Sequence, residues 1–163
     1  MVGCSCPVCG STDPRDRRSR TSLLIQHAGK NILVDTCTDM RQQLLQARVD
    51  QIDAVLFTHA HADHVNGIDD LRGFYFQHQR VIPCYACPDA MERLIHGFRY
   101  IFYKGEHDTH PPLLEALTVD GPFDLFGLRV VPVRVAHGPG FSCGYRIGSF
   151  AYLTDCHAIP ASS

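Results

Sequence analysis

Nowhere does this sequence stay apolar for the roughly 18 consecutive residues that a membrane-spanning helix requires. Neither sign of charge is in excess. The formal net charge is −2, so neither nucleic acid nor an acidic membrane surface is expected as a partner. The opening MVGCSCPVCGSTD lacks the basic and apolar regions of a secretory leader, and a cytoplasmic location is expected. Short-period repeats and low-complexity linkers are also missing. With 163 residues, 45% of them hydrophobic and 20% charged, the chain is expected to form one domain over 1–163. Within it, 1–20 would hold a cysteine cluster and an arginine-rich loop.

Cysteine, by contrast, is plentiful: there are eight. Cys4, Cys6 and Cys9 crowd into C-x-C-P-x-C, a spacing that suits a metal better than long-loop closure by disulfides. Structural zinc takes four ligands, so the fourth would be a water, another cysteine or nothing. A zinc site is favoured over unliganded thiols. Cys37, Cys84, Cys87, Cys143 and Cys156 are scattered through apolar or turn segments and are expected to be buried, free thiols. Cys84 and Cys87 make C-x-x-C, but a strand-then-helix setting favours inert thiols over a redox motif. The arginines of PRDRRSR, Pro14 to Arg20, read as a solvated loop. His107 and His110, in KGEHDTHPP, read as part of a flexible loop rather than a metal site.

TSLLIQHAGKNILVDT reads as two strands around a turn at Ala28 to Asn31. In TDMRQQLLQARVD, Thr38 or Asp39 can cap a helix carrying Met40, Leu44, Leu45 and Val49. IDAVLFTH is a continuous apolar run, as expected of a strand buried on both faces. A short helix in NGIDDLRGF, a strand in VIPCYACP and a helix opened by Pro88 and Asp89 in PDAMERLIHGFRYIF follow. Closely spaced strands are then predicted over 115–121, 123–126, 128–136, 142–147 and 150–154. The mixture predicts an α/β layered domain.

The strand of IDAVLFTH runs into H-x-H-x-D-H, His59 to His64. On extended backbone, residues i and i+2 face the same way, so His59 and His61 can share one metal. If the chain then turns helical, Asp63 and His64 project about 100° apart and can reach a second position. Imidazole with carboxylate suits zinc, manganese or iron more than calcium or magnesium. His137, ending LRVVPVRVAH before GPG, and Asp155, ending FAYLTD, sit at strand tips where a rigid sheet can fix ligand geometry. There is no convincing serine or cysteine triad.

THAHADH with a later strand-end histidine and a later LTD resembles the metallo-β-lactamase superfamily of binuclear hydrolases. GCSCPVC, NILVDTCTDMRQQLL, HVNGIDDLR and HGPGFSCGYRIG are similar to one branch of it. That branch comprises phosphodiesterases of the carbon–phosphorus lyase type, which open a phosphoribosyl cyclic phosphate. The resemblance implies an αββα sandwich, incomplete in the C-terminal part of its second half. It implies that His59, His61 and His137 bind one divalent ion, that Asp63 and His64 bind another, and that Asp155 bridges the two. Asp63 and Asp155 would be the catalytic carboxylates, and Asp35 would orient a ligand imidazole. The ions would be zinc, manganese or iron, with a structural zinc at Cys4, Cys6 and Cys9. A further metal-ligating histidine, a proton-donating histidine and a Gly-rich first strand of the family have no counterpart here. The expectation is a chain shortened at both ends, with sheet edges that invite homodimers.

The resemblance thus implies a metal-dependent phosphodiesterase acting on a small cyclic phosphate or related diester through a metal-bridging hydroxide. Arg72 of DDLR would contact the phosphate. A thioester or other ester hydrolase, and a catalytically inactive metal-binding fragment, are the alternatives.

Overall fold

The computed structural model describes residues 2–105 and 111–161. His107 and His110 lie outside the described residues. Two sheets pack face to face, and helices cover the outer face of one of them.

The first sheet opens with a hairpin of β1 (Leu23–His27) and β2 (Lys30–Val34). Its turn is two residues shorter at the C-terminal end than predicted. Ala28 and Gly29, at φ 47° and 74°, turn the chain alone, and Lys30 and Asn31 already pair with His27 and Gln26. β3 (Ala54–Phe57), β4 (Ile82–Ala86) and β5 (Leu114–Thr118) then add in parallel, giving the order β1-β2-β3-β4-β5. All four residues of β3 are buried, as its unbroken apolar run predicts for a central parallel strand.

Strand alternation divides β3 between two cores. Val55 and Phe57 pack with Met40, Leu71, Met91 and Leu94 on the helical side. Ala54 and Leu56 pack with Val130, Cys143 and Tyr145 of the second sheet. That second sheet is antiparallel: β6 (Phe123–Leu125), β7 (Leu128–His137), β8 (Gly140–Ile147) and β9 (Phe150–Tyr152). Pro132, mid-β7, is tolerated because β6 reaches only Val130 and leaves that flank of β7 unpaired by β6.

The helices are α1 (Met40–Gln46), α2 (Ala62–Val65), α3 (Arg72–His78), α4 (Pro88–Gly97) and α5 (Arg99–Phe102). Asp39 occupies the N-cap position of α1 but does not cap it. Its carboxylate accepts the Arg20 N–H at 2.7 Å, and Thr38 accepts the Arg20 guanidinium at 2.9 Å, so both residues tie down the arginine loop. α1 stops early: Arg48 turns left-handed at φ 53° and Val49 N–H bonds back to Leu44. The single helix predicted after Pro88 is broken at Phe98, whose φ of −127° is not helical. This α/β architecture supplies one helical layer and two sheets of the expected sandwich. Among the described residues, no helix is long and apolar enough to cross a membrane.

Cys37, Cys84, Cys87 and Cys143 are buried as predicted, whereas Cys156 is exposed. It follows Asp155 into the stretch beyond β9, which meets the end of β7 through backbone bonds of Ala136 with His157 and Ala158.

Candidate metal centre

Four strand ends meet at one edge of the seam between the sheets. Asp35 follows β2, Thr58 to His61 follow β3, His137 ends β7, and Asp155 lies just beyond β9. Asp35 and Asp155 are both left-handed, at φ 61° and 51°, a conformation that Asp tolerates better than most side chains. Gly67, after α2, returns the loop to β2 through its N–H to Thr36 O at 2.8 Å. A side chain there would run into the Cys37 carbonyl, so the close approach requires glycine.

Asp35 is fully buried and its carboxylate organises the histidines. One oxygen accepts the Thr58 N–H at 2.8 Å; the other accepts the Thr58 hydroxyl at 2.7 Å and His64 Nδ1 at 2.8 Å. Because the Thr58 hydroxyl proton is committed to Asp35, its oxygen is left to accept from His59 Nδ1 at 3.0 Å. Both imidazoles therefore carry a proton on Nδ1, and each in its neutral form presents a bare Nε2. His59 Nε2 is buried and has no hydrogen-bond partner. A buried acceptor with nothing to accept is costly unless it has another partner, and a cation supplies one.

What stands around that atom fits a cation. Ligand atoms of His59, His61, His137 and Asp155 lie within 4.8 Å of one another. His137 Nε2 is 3.1 Å from His61 Nδ1, although 76 residues separate the two. Asp63, His64 and Asp155 make a second such group. Asp155 belongs to both, with Oδ2 at 3.6 Å from His59 Nε2 and 3.5 Å from His64 Nε2. The six side chains expected to act together thus converge. His157, on the exposed stretch past Asp155, joins neither group.

Burial, and then the neighbouring imidazoles of His64 and His61, push the His59 pKa down to about 4, so it is neutral near pH 7. For His64, burial works the other way from the outcome: the Asp35 hydrogen bond and the charges of Asp35, Asp155 and Asp63 raise its pKa. Burial raises the Asp35 pKa, against the pull of its bonds to His64 and Thr58.

Beside the histidines opens a cavity of about 240 Å³. His61 and His137 line it, together with Asp89 and Arg93 of α4 and Phe141 of β8. Arg134 lies over the Phe141 ring at 4.6 Å and pairs with Asp89 at 3.1 Å. Arg72 is elsewhere, paired with Asp69 at 3.4 Å, and does not line this cavity. Thr58 and Arg93 were not singled out in the sequence. Thr58 had one available signal, a hydroxyl directly before the first histidine; Arg93 had none, being one charge among several on an amphipathic helix.

At the other end of the chain, Cys4, Cys6 and Cys9 also converge, their sulfurs within 4.8 Å of one another. The Cys9 N–H points at Cys6 Sγ at 3.4 Å and, with the Cys4 and Cys9 thiols, lowers the Cys6 pKa to about 7. That favours the thiolate a metal needs.

Residues 30–163 match the model of the beta-lactamase superfamily domain. Over 163 residues the chain is 45% identical to an octanoyltransferase of Porphyromonas gingivalis, a match covering 98% of this chain and 32% of that one. It is 34% identical over 65 residues to a ribonuclease Z of Clostridium kluyveri, covering 39% of this chain and 22% of that one. Among solved structures, a diphosphatase from the PhnP family superposes with a TM-score of 0.89 at 41% identity, over 99% of this chain and 61% of that one. The chain therefore spans about a third of the first of these relatives and about three-fifths of that structure.

Proposed function

The chain belongs to the beta-lactamase superfamily, and on that premise we propose that it is a metal-dependent hydrolase of phosphoric esters, with small phosphodiesters or diphosphates as its substrate class. The observation that carries this reading is the bare, buried Nε2 of His59 amid two ligand groups that share Asp155. His59, His61, His137 and Asp155 would hold one divalent ion; Asp63, His64 and Asp155 would hold a second. When bound, such ions supply Lewis acidity toward a phosphoryl oxygen and lower the pKa of a bound water. Asp35 and Thr58 hold the imidazoles of His64 and His59 in the tautomer that ligation needs. No nucleophilic side chain is required of the protein.

Arg93 supports a phosphorus ester over a carbonyl one. It lines the cavity, and no described carboxylate neutralises it, whereas its neighbour Arg134 is taken by Asp89. A guanidinium there can receive the non-bridging oxygens of a phosphate, and the half-exposed Phe141 ring offers a flat face to the rest of the substrate. A thioester or other carbonyl ester is the second reading, favoured by the name of the Porphyromonas relative. The PhnP-family diphosphatase favours the first. Cys4, Cys6 and Cys9 would hold a structural zinc at the far end of the chain.

The full chain, loaded with manganese or zinc, should hydrolyse bis(p-nitrophenyl) phosphate and a diphosphate diester faster than a thioester. His59→Ala should abolish that activity and lower the bound metal measured by plasma spectrometry. Arg93→Gln should raise KM about tenfold with kcat nearly unchanged. Wild-type activity in His59→Ala would overturn the reading, and a preference for the thioester would replace it with the second.

A further inference from the structure

Cys87 and Cys143 are 56 residues apart in sequence, and their sulfurs are 2.6 Å apart. Non-bonded heavy atoms settle at roughly 3.5–4.0 Å and bonded sulfurs at about 2.05 Å, so the pair stands well inside ordinary contact. We propose that these two residues form an oxidisable site, at which a hydroperoxide converts the pair of thiols into a disulfide joining the start of α4 to the second sheet.

The pairing cuts across the motif visible in the sequence. In C-x-x-C, Cys84 packs in the helix-side core and gives its thiol proton to Ile82 O at 3.6 Å, while Cys87 packs in the core between the sheets. Strand geometry thus separates the two cysteines that spacing joins, and brings Cys87 to a residue in the middle of β8. Cys87 sits at the N-cap of α4 and is 8% exposed; Cys143 is 2% exposed. A pocket of about 20 Å³, lined by Thr58, Cys87, Arg134 and Cys143 among others, reaches the pair and has room for about one water-sized molecule.

The two thiols are not equivalent. The hydrogen bond between them lowers the Cys87 pKa and raises that of Cys143; Arg134 adds to the first and burial to the second. Cys87 is therefore the attacking sulfur. Its thiolate takes one oxygen from the hydroperoxide, giving a sulfenic acid and releasing the remainder as water or an alcohol. The Cys143 sulfur then attacks the Cys87 sulfur and expels the hydroxyl, which leaves as water with the Cys143 proton. Each cysteine is oxidised by one electron, and the peroxide bond accepts both. The bond would lie behind the substrate-sized cavity. Asp89, two residues after Cys87, and Phe141, two before Cys143, both line it.

The test begins with the intact, unmodified chain exposed to hydrogen peroxide, blocked with iodoacetamide under denaturing conditions, digested and weighed. A linked peptide pair containing Cys87 and Cys143, released by dithiothreitol, is expected. The oxidised chain should melt about 8 °C above the reduced one, because the crosslink closes a long loop. In Cys143→Ser the linkage should vanish, the melting difference should disappear, and Cys87 should be labelled by dimedone. The proposal is overturned if both residues stay fully alkylatable at a peroxide dose that oxidises Cys4, Cys6 and Cys9, or if Cys87 is recovered joined to any other cysteine. The measurement on the unmodified chain decides the matter even if the variant does not fold.

Discussion

The carboxylate of Asp35 accepts three hydrogen bonds where solvent does not reach: one donor is the His64 imidazole itself, and another, the Thr58 hydroxyl, stands directly behind the His59 imidazole. An asparagine there keeps one acceptor oxygen and puts an NH2 group in place of the other, so that the Thr58 hydroxyl or His64 Nδ1 must turn from donor to acceptor, which for His64 moves the proton onto Nε2. Asp35→Asn should cost about 2–4 kcal/mol of stability in urea unfolding and weaken zinc binding about 10- to 100-fold in chelator competition. An Asp35→Asn chain that binds zinc as the parent does would remove Asp35 from the site. This residue was legible from the sequence only through kinship. Nothing in NILVD alone says that its aspartate turns left-handed at φ 61° and points inward. The histidines were legible directly, because four ligands within six residues need only local geometry to come together.

At the scale of elements, Asp53 gathers the N-terminal edge of the first sheet. Its buried carboxylate takes Lys30 Nζ and Arg80 Nη2 at 3.0 Å each, the Asn31 N–H at 3.0 Å, and the Gln51 amide. Burial alone would raise its pKa. The Asn31, Lys30, Arg80 and Gln51 hydrogen bonds outweigh that and lower it from 3.8 to about 2. A folded-state pKa below the unfolded one stabilises the fold above about pH 4, and the contribution disappears as pH falls through about 2. Urea midpoints measured from pH 5 to pH 2 should therefore lose about 2 kcal/mol attributable to Asp53, and Asp53→Asn should flatten that part of the profile. Element boundaries were less legible than element order. α1 stops early because Arg48 closes it left-handed, and the helix after Pro88 breaks at Phe98; neither choice is dictated by apolar spacing, which continues through both.

Across the whole molecule, two hydrogen bonds fasten the second sheet to the end of β3. The Tyr145 hydroxyl donates to Phe57 O at 2.7 Å, and the Cys143 N–H donates to Thr58 O at 2.8 Å. Tyr145 is 1% exposed, so Tyr145→Phe leaves the Phe57 carbonyl short of a donor in a place water cannot enter. Calorimetry should show a loss of about 1–2 kcal/mol, and an unchanged melting curve would mean that this bond contributes nothing to holding the sheets. No single stretch of sequence contains these contacts; they arise only when residues 57–58 and 143–145 meet, which is also why the Cys87–Cys143 pair was not legible. The same seam parts the candidate ligands, with His59, His61, Asp63 and His64 on one side and His137 and Asp155 on the other. Parting of β7, β8 and β9 from the first sheet would pull the second group away while that sheet stayed folded. A metal held across the seam would thus be released by an opening smaller than denaturation, and its retention would depend on how firmly two stacked leaves stay closed.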